Sequence, residues 1–414
     1  MVALKVRKLK ALEYEFIIHA TEELDNMEKW EKVFYDDKGT KENYRFPRKL
    51  NKDNEYFEAV LKFMEVLIED LRTNDIEPAY IEIAEEYKSL FEDVLTRYYE
   101  GKIVDAYNII DGLIKEYKEN SIIFSKLSKS YSFNYYVIEN KQWDEFIFFR
   151  ARTGDIENEN KKDVLKHTPF DMISKIGSYR FSIPGQPCLY LGSTSYSCWI
   201  EMGKPSDRDF NVGCILLNKD YEILNLSTDI RVFLGAISAL REDSDKQMMF
   251  KSYLLSQVTS FCVKEEKRNF KSEYIISQLI TLACKSNGIE GISYISKRVS
   301  SNVFGHDICM NLALFVPYEQ GKKYSGIMET EMKIGIPVNY AYFEKLKRAP
   351  LCLPIEHFDY ENSPYPINIG DFENQNPYTE THFYDFDKYL RQITWRQYKG
   401  KDKIQSVKRL NKNL

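Results

Sequence analysis

Apolar side chains recur at three- and four-residue steps through three long segments of the first 140 residues. One stripe is Phe57, Val60, Leu61, Met64, Leu67, Ile68 and Leu71, and a second is Ala84, Tyr87, Phe91, Val94, Leu95 and Tyr98. The third runs through Ile103, Ala106, Tyr107, Ile110, Leu113, Ile114 and Tyr117. Such spacing gathers each set on one side of an α-helix. At roughly 25 cal/mol per Å² of apolar surface these faces cannot stay wet, so the helices pack on one another or on the next domain. Residues 1–140 are therefore expected to form a helical N-terminal domain.

From Phe146 to Phe315 the pattern changes to short apolar runs broken by Gly, Pro, Asn and Asp, the mark of strands with a few helices between them. Cys188 to Leu191 reads as a strand. Gly213 to Leu217 and Ile223 to Leu226 read as a hairpin turning at Asn218, Lys219 and Asp220. Ile276, Leu279, Ile280 and Ala283 form a helical stripe that stops at Asn287 and Gly288, where Asn-Gly supplies a left-handed cap, and Gly291 to Ser296 comes next as a strand. Residues 141–320 are thus expected to be a mixed α/β domain, which makes the chain α+β. Beyond 320, Pro337, Pro350, Pro354, Pro364, Pro366 and Pro377 punctuate a C-terminal extension, 321–414, packed on the core, with a short helix near Asp385 to Gln397.

Composition narrows the chemistry. The chain has 414 residues, 43% of them hydrophobic, which fits several packed domains. Its net charge of −5 would repel a phosphate polymer, so nucleic acid is not the expected partner, and the basic residues from Arg396 to Arg409 read as a solvated tail. The seven cysteines are scattered with no C-x-x-C pair, as reduced cytoplasmic thiols would be. The basic N-terminus lacks the small-residue cleavage site of a signal peptide, and no apolar run approaches the ~18 residues of a membrane helix. A cytoplasmic protein with no membrane contact is expected. The sequence contains no G-x-G-x-x-G, P-loop, G-x-S-x-G or H-E-x-x-H, and its five histidines are widely spaced, so no metal site is expected.

One segment carries candidate chemistry. Tyr179 to Ser193 is a Pro/Gly turn followed by a strand, after which Thr194 or Ser195 can cap a helix bearing Trp199, Ile200 and Glu201. It brings Arg180, Tyr190 and Glu201 toward one end of a strand-turn-helix. A dinucleotide needs each type. An Arg clamps pyrophosphate, a Tyr offers a flat face and a hydroxyl to nicotinamide, and a Glu stabilises an oxocarbenium-like ribose or orients a nucleophile.

These residues resemble the RES domain, the toxin of bacterial RES-Xre toxin-antitoxin pairs. That family has an Arg before a Pro-Gly turn, a Tyr ten residues later and a Glu eleven after that, the steps that Arg180, Tyr190 and Glu201 reproduce. Its Gly-x-x-G turn, strand ending in Ser and short apolar strand beginning near Asn match Gly288 to Gly291, Ser293 to Ser296, and Asn311 to Phe315. An early family Arg is matched by Arg150 or Arg152. Where the family often has Trp or Phe-Asn after the first Arg, this chain has Phe181-Ser182. The likeness spans about 150 to 316.

The resemblance implies a fold related to ADP-ribosyltransferases and an enzyme that consumes NAD⁺ as substrate, with no separate cofactor, by hydrolysis or phosphorolysis. It implies roles for Arg180, Tyr190, Glu201 and Ser296, with Arg150, Arg152 and Asn311 as substrate-binding residues. Ser296 either meets substrate or caps a turn, and Arg150 and Arg152 either line the pocket together or face solvent. His306 and Asp307 stand in a loop beside the proposed site. A bacterial toxin or defence effector is the expected role. Protein ADP-ribosylation, or a silent module whose N-terminal helices dock an antitoxin or sensor, is the alternative. An antitoxin protein and a second copy of the chain are candidate partners. The N-terminal helices also resemble the HEPN-like domain that precedes some RES domains, though no Arg is followed within a few residues by His, so the usual HEPN nuclease motif is missing.

Overall fold

In the computed structural model, residues 26–52, 55–119, 124–127, 146–156, 163–264, 268–299, 309–348, 368–369 and 376–410 are described. The chain is an α+β protein of two compact units. One takes Met1–Ile109 together with Thr228–Glu273, the other Ile110–Ser227 and Tyr274–Leu414. Residues 228–273, which the linear pattern leaves inside the middle domain, therefore fold with the N-terminal helices. In chain order the main helices are α1 (Tyr56–Thr73), α2 (Pro78–Tyr99), α3 (Ile103–Lys118), α4 (Ser195–Glu201), α5 (Ile230–Ala239), α6 (Asp243–Val258), α7 (Ile275–Ser286) and α8 (His382–Leu410).

Aromatic packing explains why 228–273 joins the first unit. There α1 packs on α2, and α3 begins after a short turn. Trp30, with none of its surface exposed, meets Tyr80 and Phe233 edge-on, each with ring centroids 5.0 Å apart. Phe233 lies on α5, and Phe250 and Tyr253 on α6 complete the cluster. Offset and edge-to-face rings of this size dominate a core. The predicted stripe of α1 is rotated slightly: Tyr56 and Phe63 are buried while Phe57 and Leu61 are half-buried. On α2 and α3 the expected stripes are buried at Ala84, Tyr87, Phe91, Val94 and Leu95, and at Ala106, Ile110, Leu113, Ile114 and Tyr117.

The second unit is built on a nine-stranded sheet. In chain order the strands are β1 (Phe124–Lys126), β2 (Phe146–Thr153), β3 (Cys188–Gly192), β4 (Phe210–Leu217), β5 (Glu222–Leu226), β6 (Gly291–Ile295), β7 (Met310–Phe315), β8 (Met332–Ile334) and β9 (Val338–Asn339). Their spatial order is β8-β4-β2-β3-β7-β6-β5-β1, with β9 also pairing β4. β1 thus falls within residues expected to be helical.

The expected hairpin between β4 and β5 does not form. β4 pairs with β2 and β8, whereas β5 runs parallel to β6. All eight residues of β4 are buried, so it is an interior strand with neighbours on both sides rather than half of an exposed hairpin. Five peptide steps of about 3.8 Å let Leu217 and Glu222 lie at most about 19 Å apart, less than the about 24 Å that five flat strand spacings would need. The sheet therefore curls. It also splits, because β2 and β3 are joined only at Phe149 and Gly192.

Strand alternation sorts the side chains onto two faces. Phe148, Leu189, Leu191, Ile215, Leu312 and Leu314 pack on one, and Phe149, Val212, Cys214, Phe386 and Leu390 on the other. The short helix expected near the C-terminus is longer, the 382–410 span of α8. Helix α7 ends as its sequence predicts: Asn287 is the C-cap and Gly288 comes next with φ +74°. An L side chain is strained there, so Gly288→Ala is expected to lower stability by about 1 kcal/mol, read as a shifted denaturation midpoint with unchanged slope.

Candidate functional site

Strand β3 turns into helix α4 within two residues. Thr194 has extended backbone and its hydroxyl accepts from the Ser197 amide at 2.9 Å, an N-cap that starts the helix where the sequence predicts. Gly192 lets the helix settle on the strand, since a Cβ there would lie 3.0 Å from the Cys198 Sγ and 3.3 Å from the Ser197 Cβ. Seven residues long, the helix ends on Glu201.

Ser197 and Glu201 are four residues apart and so share one helix face. Both meet Asn311 on β7. The Ser197 hydroxyl donates to Asn311 Oδ1 at 2.7 Å, and Asn311 Nδ2 donates to Glu201 Oε1 at 2.7 Å. A carboxylate can only accept, so this orientation of the amide is the one that satisfies both partners. Asn311 is 3% exposed, whereas about a third of the Glu201 side chain is open, so the buried amide fixes a carboxylate that solvent and solute can reach. Its other oxygen, Oε2, lies 3.9 Å from Arg298 Nε.

Asn311 stands between Gly192 on β3 and Tyr294 on β6, its partners in register, so the Tyr294 ring lies next in the same row of the same face. Arg180 occupies the tight turn closed by the bridge between Tyr179 and Ser182. Its guanidinium lies 4.8 Å from the Phe181 ring centre and 5.0 Å from that of Tyr294, and Nη1 donates to the Ile295 carbonyl at 2.9 Å. Arg180 is 5% exposed, so it braces the end of β6. Burial holds the Tyr294 hydroxyl well above its ordinary pKa; the nearby Glu201 charge raises it further while Arg180 opposes the rise. Tyr294 therefore sits in the field of both charges. Ser296, fully buried, accepts the Arg298 amide proton at 3.2 Å, and this hydroxyl shapes the turn that presents Arg298.

Tyr190 points its hydroxyl into the interior, where burial pushes its pKa well up. The Ser182 hydroxyl is near enough to ease that shift, but the two lack hydrogen-bond geometry, and among the described residues both are buried without a hydrogen-bond partner. Tyr190 thus offers an unsatisfied polar group beneath the site, with Tyr179 against its ring at 5.9 Å.

Arg150 and Arg152 are not brought to this cluster. Phe149 shares a face with Gly192 and Asn311, so alternation puts the two arginines on the opposite face. Arg150 fills the split between strands: Nη1 donates to the Tyr190 carbonyl at 2.7 Å, while Nη2 of Arg152 reaches the Lys166 carbonyl at 3.2 Å. Burial and the charge of Arg152 pull the Arg150 pKa well below its ordinary value. His306 and Asp307 lie outside the described residues.

Helix α8 holds the site helix from behind. Asp387, 2% exposed, accepts from the Ser195 amide at 2.9 Å and from the Tyr378 hydroxyl at 2.7 Å, placing a carboxyl at the N-terminus of α4. Burial pushes its pKa up to about 6, against the pull of Arg391 and these donors. Between about pH 4 and 6 the unfolded chain has already lost this proton while the folded one keeps it, so the group subtracts stability as pH rises through that window. Wild type is expected to lose on the order of 2 kcal/mol relative to Asp387→Asn across it, checked by thermal melts of both at several pH values.

The sequence alone does not single out Ser197, Tyr294, Arg298 or Asp387. Ser197 does carry a signal, because a Ser four residues before the candidate Glu on a predicted helix faces the same way. Tyr294 is hidden among 30 tyrosines, and Asp387 lies far along the chain from the helix it caps.

No family model matches the chain. It is similar to a protein of Bacillus subtilis (strain 168) named "Putative toxin YopC", 31% identical over 221 residues, which are 51% of this chain and 50% of that protein. The chain thus spans about half the length of the curated relative it matches. Among solved structures it is matched to the MbcT-MbcA toxin-antitoxin complex of M. tuberculosis, covering 52% of this chain and 98% of the matched one at 10% identity, with a TM-score of 0.24, too low to bear on fold or function. Among the described residues no helix is long and apolar enough to cross a membrane.

Proposed function

We propose that this chain cleaves NAD⁺ between nicotinamide and ribose and acts as a bacterial toxin. The observation that carries the reading is the Ser197–Asn311–Glu201 relay: a partly open carboxylate oriented through a buried amide whose other end is also fixed. As the C1′–N bond lengthens, its electron pair leaves with nicotinamide and positive charge spreads over C1′ and the ring oxygen. A carboxylate already in place stabilises that charge without reorganising. The acceptor then adds its lone pair to C1′ and loses a proton. Tyr190, half-buried, supplies an aromatic face for the leaving base, Arg150 acts by bridging the split strands, and Arg152 ties β2 to the Lys166 carbonyl.

The toxin role is supported by the likeness to a protein named as a toxin, and the resemblance of Arg180, Tyr190, Glu201 and Ser296 to RES domains supports an ADP-ribosyltransferase-like fold with an antitoxin partner. Incubation of the purified chain with NAD⁺ labelled in its adenine should release nicotinamide in step with ADP-ribose, or with its 1″-phosphate when phosphate is supplied. Label retained on protein would make transfer to a side chain the reaction instead. Intact NAD⁺ after prolonged incubation under every condition would refute the reading.

A further inference from the structure

Resting on that reading, we propose that Arg298 is the residue that engages substrate phosphate, leaving Glu201 to do so. Three observations converge. Arg180, the arginine expected to clamp phosphate, is 5% exposed, stacked on Phe181 and Tyr294 and bonded to a backbone carbonyl. Its position suits a brace. Arg298, by contrast, keeps 45% of its side chain open, and its Nε lies 3.9 Å from Glu201 Oε2. That separation is a loose ion pair between partly solvated groups, which is worth little and is readily exchanged. Finally, the backbone of Arg298 is not loose: the buried Ser296 hydroxyl accepts its amide proton, fixing where the side chain departs from the turn.

The chemistry of the substrate fits this placement. The 5′-phosphate hangs from the same ribose ring whose C1′ bond is broken, so a guanidinium beside the carboxylate that faces C1′ stands one ring's width from the phosphate. A phosphate offers the planar fork of Arg two oxygens where the Glu201 contact uses one nitrogen. Exchange of partners also frees Glu201 Oε2 and its charge at the moment substrate arrives. Arg298 therefore selects phosphate-bearing nicotinamide nucleotides over neutral nucleosides, and Ser296 acts through it as a positioning residue.

The test compares wild type with Arg298→Ala and Arg298→Lys, each first shown by circular dichroism and melting to be folded. Affinities for ADP-ribose and for nicotinamide riboside are measured by calorimetry, alongside nicotinamide release from NAD⁺ and from the riboside. Arg298→Ala should weaken ADP-ribose about tenfold or more while leaving the phosphate-free riboside unchanged, with Arg298→Lys in between and the same split in kcat/KM. Equal losses for both ligands, or none for ADP-ribose, would overturn the inference even if NAD⁺ is cleaved. A wild type that binds ADP-ribose through Arg298 but releases no nicotinamide would overturn the NAD⁺-cleaving reading and leave the phosphate site standing. A wild type that neither binds ADP-ribose nor releases nicotinamide from NAD⁺ would overturn both.

Discussion

Glu201→Gln is expected to slow nicotinamide release by about 10²- to 10⁴-fold without loosening the fold. The substitution keeps the shape of the side chain and keeps an oxygen for Asn311 Nδ2, whose 2.7 Å bond anchors Oε1. What it removes is the negative charge, which in the proposed mechanism offsets the cation developing on ribose. Because about a third of the side chain is open, few buried contacts are at stake, so stability should change little. The effect belongs in kcat, since the charge is needed when the C1′–N bond is stretched and much less in the bound ground state. Glu201→Asp should fall between the two, its carboxylate drawn back from the amide by one methylene. A Gln variant as fast as wild type would remove the carboxylate from the mechanism.

Asn311→Ala should cost about ten- to a hundredfold in kcat and, separately, about 1–3 kcal/mol of stability. The amide does two jobs with its two ends. At Oδ1 it accepts from Ser197 at 2.7 Å in a region where neither group sees water, so truncation leaves a buried hydroxyl unsatisfied. At Nδ2 it fixes Glu201, and without it the carboxylate can swing toward Arg298, 3.9 Å from its other oxygen. The double variant Asn311→Ala with Glu201→Gln should then be little slower than Glu201→Gln alone, because an amide aiming a charge has nothing to aim once the charge is gone. Rates measured on all three variants, beside urea denaturation of each, check both parts. Independent, additive losses in the double variant would mean that Asn311 acts on substrate by itself.

The site's chain segment is legible in the sequence because that segment is local. Arg180, Tyr190 and Glu201 sit on one turn, one strand and one short helix in succession, and Thr194 caps where the pattern expects a cap. Asn311 is expected only as the head of a strand resembling the family's; its place between Gly192 and Tyr294 is a matter of register among β3, β7 and β6, which no local pattern encodes. The same limit explains the false hairpin. Leu217 and Glu222 are close in sequence, but a buried strand takes the neighbours that the curled sheet provides. Helical periodicity marks α1 to α3 well, since it needs only the chain's own repeat. It cannot reveal that Phe233, Phe250 and Tyr253 join Trp30 and Phe34, because aromatic rings pack by shape over any separation in sequence. Arg150 and Arg152 share one face, as alternation requires, but which face depends on pairing with β3 and β4.

Whether the carboxylate aimed by Asn311 faces the ribosyl carbon of NAD⁺ is tested most directly by a crystal structure of Glu201→Gln soaked with NAD⁺, since the slowed variant should hold the dinucleotide uncleaved. In that crystal C1′ should touch the residue 201 amide, with the nicotinamide ring against Tyr190. Density for NAD⁺ elsewhere on the chain, with the Ser197–Asn311–residue 201 relay intact and empty, would contradict the mechanism.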